Sequence, residues 1–239
     1  MKMRFWLSLI MLLSGLHCFS QALWTSADVK KSFGKHWGLG AEVEYRTHDG
    51  FDGTDRITFA LQGDYKFSFL KIDAGYKYML GHTLDETTRK GNIIPSYWIN
   101  RHRAYLSVSG KLKLGRFGLS LRERYQFTHR IGKWVPKFAS DGVTSKSDEW
   151  ISSKDKHTLR SRLFCEYSIK KSRFTPFVSV EVYDNLSSGF EVEKCRYTVG
   201  SEYKINKRNR LELFYRFIQG VEAGEENTNV IGVGYSFKL

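Results

Sequence analysis

The sequence predicts an all-β chain folded as an antiparallel, up-and-down transmembrane β-barrel of about 10–12 strands. Three observations predict it. Apolar and polar residues alternate in segment after segment, the last ending at Leu239, and a period of two marks strands because successive side chains point to opposite faces. The segments run to about ten residues or more, which suits a tilted bilayer crossing better than the roughly five or six residues of most soluble strands. Short links between segments alternate with long polar ones, which is how an outer-membrane barrel is threaded.

The chain opens with MKMRFWLSLIMLLSGLHCFS, where Lys2 and Arg4 precede an apolar run from Phe5 to Leu13 and Ser20 precedes Gln21. That layout is an export signal, with an apolar stretch too short to span comfortably. Residues 1–20 are therefore expected to be removed, leaving one domain over residues 21–239. Cys18 follows His17, whereas lipoprotein processing calls for a small residue there, so lipidation is not expected. Cys165 and Cys195 fall on the apolar faces of separate segments and are expected to be free, buried thiols.

The strands follow in order. A short stretch from Trp24 to Phe33 comes first. Trp37, Leu39, Ala41, Val43 and Tyr45 then oppose Gly38, Gly40, Glu42, Glu44 and Arg46, and Ile57, Phe59, Leu61 and Tyr65 oppose Arg56, Thr58, Gln62 and Asp64. Ile72, Ala74, Tyr76 and Tyr78 oppose Lys71, Asp73 and Lys77, and Ala104, Leu106, Val108 and Leu112 oppose Arg103, Ser107, Ser109 and Lys111. Phe117, Leu119, Leu121, Tyr125 and Phe127 oppose Arg122, Arg124, Gln126 and Thr128, with Glu123 a misfit on the apolar side. Leu159, Leu163, Cys165 and Tyr167 oppose Arg160, Arg162 and Glu166; Val178, Val180 and Val182 oppose Ser179, Glu181 and Tyr183. The last three segments repeat the pattern around Tyr197 and Val199, Leu213 and Tyr215, and Val233 and Tyr235. The count comes to about eleven, which would set the first and last strands side by side in parallel, and single-chain bacterial barrels use even numbers. Either Trp24–Phe33 is not a full strand, giving ten, or a strand lies within a long loop, giving twelve.

Tight links at FGKH, KFSF, LGRFG, IKKSRF and INKRNR alternate with THDGFDGTD, GHTLDETTRKGNIIPS, GKWVPKFASDGVTSKSDEWISSKD, DNLSSGFEVEK and QGVEAGEENT. Pro95 and Pro136 lie in long links, where a missing N–H costs nothing. Trp37, Tyr45, Tyr76, Tyr78, Trp98 and Trp134 lie near segment ends and suit the aromatic girdles of membrane interfaces.

Composition narrows the function. The 239 residues carry a formal charge of +13 and 15% aromatics, which is not a disordered composition. After the leader no uninterrupted apolar stretch is long enough for a membrane helix. Basic residues are spread over one face of every segment rather than gathered into a patch, and an exported chain is no nucleic-acid partner.

The stretches LWTSADVKKSF, RSRLFCEYSIKKSRFTPFVSVEVYDN, CRYTVGSEYKINKRNRLELFYRFIQ and NVIGVGYSFKL together resemble an uncharacterised family of bacterial outer-membrane barrels frequent in Bacteroidetes, domain of unknown function 2490. The resemblance covers nearly all of the chain after the leader and implies one barrel domain in the outer membrane. It implies no activity, substrate or catalytic residue.

The polar face supplies the candidate site. Arg101, Arg103, Arg122, Arg124, Arg160, Arg162, Arg196 and Arg216, set among Glu42, Glu44, Glu166, Glu181, Glu202 and Glu212, are expected to face a narrow or closed lumen, where opposite charges pair across strands. The reading is a structural or transport barrel, and the sharper form is a channel for a small anionic solute, because rings of Arg and Lys favour anions. Expected partners are the barrel-assembly machinery and outer-membrane lipid and lipopolysaccharide, whose phosphates suit the positive excess. The alternative is a barrel enzyme acting on outer-membrane lipid or lipid A. His48, His82, His102, His129 and His157 lie near segment ends, but no Gly-x-Ser-x-Gly occurs, and Thr128–His129 is the nearest approach to a nucleophile and base. No cofactor is expected; Asp49, Asp52 and Asp55 read as a solvated turn because a calcium loop's closing glutamate is missing.

Overall fold

A computed structural model describes residues 21–48, 53–221 and 227–239. The export signal expected over residues 1–20, together with Asp49 and Asp52, lies outside the described residues. The strands are β1 (Gln21–Phe33), β2 (Trp37–Thr47), β3 (Thr54–Phe67), β4 (Leu70–Thr83), β5 (Glu86–Thr87), β6 (Ile93–Ile94), β7 (Tyr97–Leu114), β8 (Phe117–Arg130), β9 (Lys133–Phe138), β10 (Ser145–Ile151), β11 (Lys154–Tyr167), β12 (Phe174–Asn185), β13 (Glu191–Lys204), β14 (Asn209–Gly220) and β15 (Thr228–Lys238). All but β5, β6, β9 and β10 close into one eleven-stranded barrel, each strand pairing with the next barrel strand along the chain.

The odd count corrects the expectation of ten or twelve. Strand β1 is complete, pairing antiparallel with β2 from Trp24 opposite Arg46 to Phe33 opposite Trp37. Its other edge runs parallel to β15, from Gln21 opposite Asn229 to Lys30 opposite Lys238. A parallel ladder still satisfies the backbone, with evenly spaced slanted bonds, so closure leaves no free edge whether the count is odd or even. The Ser236 hydroxyl donates to Asp28 across this seam at 2.6 Å, and the Leu239 amide donates to the Lys30 carbonyl at 2.8 Å.

Strands do lie within the long loops, but they do not join the barrel. The segments after β4 and β8 form a separate four-stranded sheet in the order β10, β9, β6, β5. It is held to the start of β7 by a small core of Ile94, Tyr97, Ile99 and Val135, with Ile151 against it. Trp134 packs at a tilt against Trp150 within this sheet, ring centroids 5.2 Å apart, so it belongs to the loops and not to a girdle of the barrel wall. The short links sit together at one end, the turn rim, and the long links at the other, the loop rim. Two of the turns have two residues, and Ser68 and Gly115 take a positive φ at the first of them, the geometry a type II′ hairpin requires.

The barrel is apolar outside and charged inside. Leu61 is 65% exposed, Leu121 54% and Leu163 56%, whereas the side chains they alternate with are sequestered: Arg124 is 9% exposed, Asp73 6% and Glu181 6%. A soluble lipocalin-like barrel requires the opposite arrangement. Cys165 and Cys195 are free but only half-buried, because their outward side chains have no second protein layer to cover them. The interior carries one apolar patch, Ala22, Trp24, Ile218 and Val230 with Phe214 packed on them. Gly232 makes room for it: a Cβ there would overlap the Phe214 ring.

Candidate functional site: a basic barrel interior

The interior encloses a cavity of about 700 Å³ whose wall carries sixteen Lys or Arg and six Asp or Glu side chains. Twelve of the fourteen expected charged residues line it: Arg101, Arg103, Arg122, Arg124, Arg160, Arg162, Arg196, Arg216, Glu42, Glu44, Glu181 and Glu212. Glu166 and Glu202 do not. They sit at the turn rim, where Glu166 pairs with Lys111 at 2.7 Å and Glu202 with Arg210 at 3.2 Å. Both are close to the strand ends, below the enclosed space.

Two hubs organise the middle of the cavity. Glu181 accepts from Arg122 at 2.6 Å, from Arg160 at 2.8 Å and from the Tyr183 hydroxyl at 2.8 Å, and Arg196 stands 3.9 Å away. Arg124 donates to Ser107 at 2.7 Å and to Asp73 at 3.1 Å, with its guanidinium 4.0 Å from the centre of the Tyr105 ring. Beside the Glu181 and Arg124 hubs stands a third cluster, which is aromatic. Trp24 points inward, and Arg46, Arg216 and Arg196 lie 3.5, 5.0 and 5.2 Å from its ring centre, distances at which cations are drawn to the indole face.

Opposite charges do pair across strands, Arg122 and Arg160 with Glu181, Arg124 with Asp73 and Lys77 with Glu42, but the residues directly opposed in register mostly carry like charge. Basic residues stand directly opposite basic residues: Arg46 and Arg56, Lys77 and Arg103, Arg101 and Arg130, Arg130 and Lys154, Arg124 and Arg160, Arg122 and Arg162. Acidic residues likewise oppose acidic ones: Asp28 and Glu42, Asp64 and Asp73, Glu202 and Glu212. Glu181 is the interior exception, standing between Arg162 and Arg196. The alternation sets only which face a residue takes; which residue it meets depends on the shear between strands.

The like pairs are also sorted along the barrel axis. Within the enclosed cavity the basic pairs occupy the wall from mid-height to the loop rim, and the acidic pairs lie from mid-height to the turn rim, where the rim pairs Lys66–Lys71, Lys204–Arg210 and Lys30–Lys238 also face each other and Lys30, Lys66, Lys71 and Arg210 bridge the carboxylates. In the loop half the carboxylates are committed, Glu44 to Arg46 at 2.8 Å and Glu193 to Lys156 and Lys194 at 2.6 Å each. The Nε–H groups of Arg56, Arg122, Arg130, Arg160, Arg162 and Arg196 are buried without a protein acceptor.

Several interior residues were not among the expected set: Arg46, Arg56, Lys77, Arg130 and Lys154 on the cavity wall, and Trp24, whose ring lies against Arg46, Arg196 and Arg216. Arg46, Arg56 and Lys77 already stand on the polar faces that the alternation defines, and extending it to the strand ends finds Arg130 and Lys154. Trp24 is the exception in kind, an apolar residue in the inward phase.

Thr128 and His129, the nearest approach to a nucleophile and base, do not converge. His129 Nδ1 meets Asp155 at 2.6 Å on the outer wall, while Thr128 points inward and accepts from Arg103 at 2.9 Å. Adjacent residues of a strand face opposite sides, so this pair cannot converge. Among the described residues no hydroxyl is bonded to His129, and no group of three His, Cys, Asp or Glu could hold a metal.

Comparison with solved structures places the fold. The β-domain of the Bordetella autotransporter Brka matches with a TM-score of 0.52 at 14% identity, covering 83% of this chain and 81% of that one. The translocator domain of autotransporter NalP from Neisseria meningitidis matches at 0.54 and 11% identity, covering 80% and 71%. The NanC porin matches at 0.50 and 15% identity, covering 89% and 91%. At these identities the likeness is one of fold, that of outer-membrane barrels. No curated protein matches the sequence significantly. A family model does, over residues 21–229, and the chain belongs to that family, described as Protein of unknown function (DUF2490).

Proposed function

We propose that the barrel sits in the outer membrane with its apolar wall in lipid and its long loops outside the cell, and that its interior is a narrow passage favouring anions. Export by the leader and insertion by the barrel-assembly machinery belong to this reading, as does contact of the basic loop rim with outer-membrane lipid and lipopolysaccharide phosphates. The observation that carries the reading is the set of six directly opposed basic pairs on one interior wall. Like charges directly opposite each other destabilise a sheet, whereas opposite charges would contribute about 0.2–1 kcal/mol each. A barrel whose interior only braced its shape would be expected to alternate the signs. Guanidinium groups with unused donors, in a cavity with a formal excess of ten basic side chains, instead lower the energy of an entering anion.

The test is the reversal potential of the reconstituted chain in a planar bilayer under a potassium chloride gradient. The native barrel should favour chloride, and the Arg122→Gln/Arg162→Gln variant should move the reversal potential toward zero. A native preference for potassium would overturn the reading.

A further inference from the structure

Resting on that reading, we propose that the loop half of the cavity is a binding station for a soluble polyanion, a molecule carrying two or more phosphate- or carboxylate-type groups about 5–7 Å apart. The station is built by Arg56, Arg101, Arg103, Arg130 and Lys154.

Arg130 stands between Arg101 and Lys154 in register, and Arg103 is the next inward-facing residue below Arg101. Directly opposed residues have Cα atoms about 5 Å apart and successive residues on one face about 7 Å apart, which sets the spacing a ligand must match. The donors are available. Arg101 makes no hydrogen bond or ion pair among the described residues. Arg103 uses only its Nε, toward Thr128, and Arg130 uses one terminal nitrogen, toward the Ser152 carbonyl at 2.9 Å. The buried Nε–H groups of Arg56 and Arg130 have no acceptor. The nearby carboxylates are Asp55, 3.5 Å from Arg56, and Glu44, which is bound to Arg46 at 2.8 Å. A guanidinium presents its donors as a rigid fork that matches phosphate and carboxylate oxygens.

Valence follows from the pairing. A monovalent anion relieves one like-charge pair and leaves its neighbours repelling, while a polyanion bridges adjacent pairs and relieves several at once. The acidic pairs Asp28–Glu42, Asp64–Asp73 and Glu202–Glu212 lie toward the turn rim, beyond the mid-height arginine pairs, so no acidic pair offsets the basic pairs of the station. The side chains face the interior, away from lipid, so the ligand is a solute.

The experiment is isothermal titration of the detergent-solubilised full chain with sodium tripolyphosphate and with inorganic phosphate at low ionic strength. Tripolyphosphate should bind one per barrel and at least about tenfold more tightly than phosphate, as expected when one ligand engages several guanidiniums. Arg101→Gln/Arg130→Gln should weaken tripolyphosphate about tenfold or more, and Arg210→Gln at the turn rim should leave it unchanged. The boiling-dependent gel shift verifies that each variant is a closed barrel, and Arg101→Gln alone replaces the double variant if that one does not close. Equal affinity for the two anions, or no effect of the Arg101 and Arg130 changes, overturns the station. If tripolyphosphate fails to bind while the native barrel still favours chloride, the station falls and the anion passage stands; potassium preference removes the passage itself, whatever tripolyphosphate does.

Discussion

Replacing Glu181 by Gln should destabilise the barrel and raise its anion preference at the same time. The carboxylate is 6% exposed and takes three hydrogen bonds, from Arg122, Arg160 and Tyr183, at 2.6 to 2.8 Å. A bond involving a charged group contributes about 1.5–3 kcal/mol against about 0.5–1.5 for a neutral one. Neutralising the carboxylate therefore costs about 1 kcal/mol per bond, or about 3 kcal/mol in all, in the range reported for breaking a buried ion pair. The same change removes one of six acidic side chains from a wall with sixteen basic ones, which makes the interior more attractive to anions. Reversible urea unfolding in lipid vesicles, followed by tryptophan fluorescence, measures the first effect, and the reversal potential measures the second. A loss of stability under about 1 kcal/mol would refute the view of Glu181 as the electrostatic anchor of the arginine wall. A loss of that size accompanied by a shift toward cations would refute the account of the interior field.

Two further outcomes follow from the geometry. Trp24→Ala should increase unitary conductance, because the inward indole and its three arginines occupy the lumen, and should cost about 3–5 kcal/mol as a large buried aromatic lost from its cluster; unchanged conductance would mean the passage runs elsewhere. In the loop between β9 and β10, the Thr144 hydroxyl and the amides of Thr144 and Val143 donate to Asp141 and hold its carboxyl at about 2. Because its value is depressed, the turn's added stability is present above the ordinary aspartate range and is lost as pH falls through about 2. Carboxyl NMR of the micellar protein should show that midpoint, and a midpoint near an ordinary aspartate would remove these bonds.

Much of the barrel is written in local pattern. A two-residue period needs only the residues of one segment to be read, and Leu39, Val43 and Leu61 outside against Glu42, Glu44 and Gln62 inside follow from it directly. Loop length is equally local, which is why the turn rim and loop rim are legible in the sequence. The same pattern misassigned the rims of the cavity: Glu166 and Glu202 have the inward phase, but phase says nothing about depth, and they end up beyond the enclosed space.

What only the tertiary structure decided is what each inward residue meets. The sequence by itself determined that arginines and glutamates share the interior and that opposite signs can pair there, as Arg122 and Arg160 do with Glu181, but not which residues face each other in register. Register arises from the shear of the closed barrel and from a seam joining residues as distant as Asp28 and Ser236, and no local pattern encodes it. That seam also made the count eleven, because a parallel ladder closes the last edge as completely as an antiparallel one. The gathering of the cavity's basic pairs toward the loops and of the acidic pairs toward the turns is thus a property of the assembled wall, set by how far each strand slides past its neighbour.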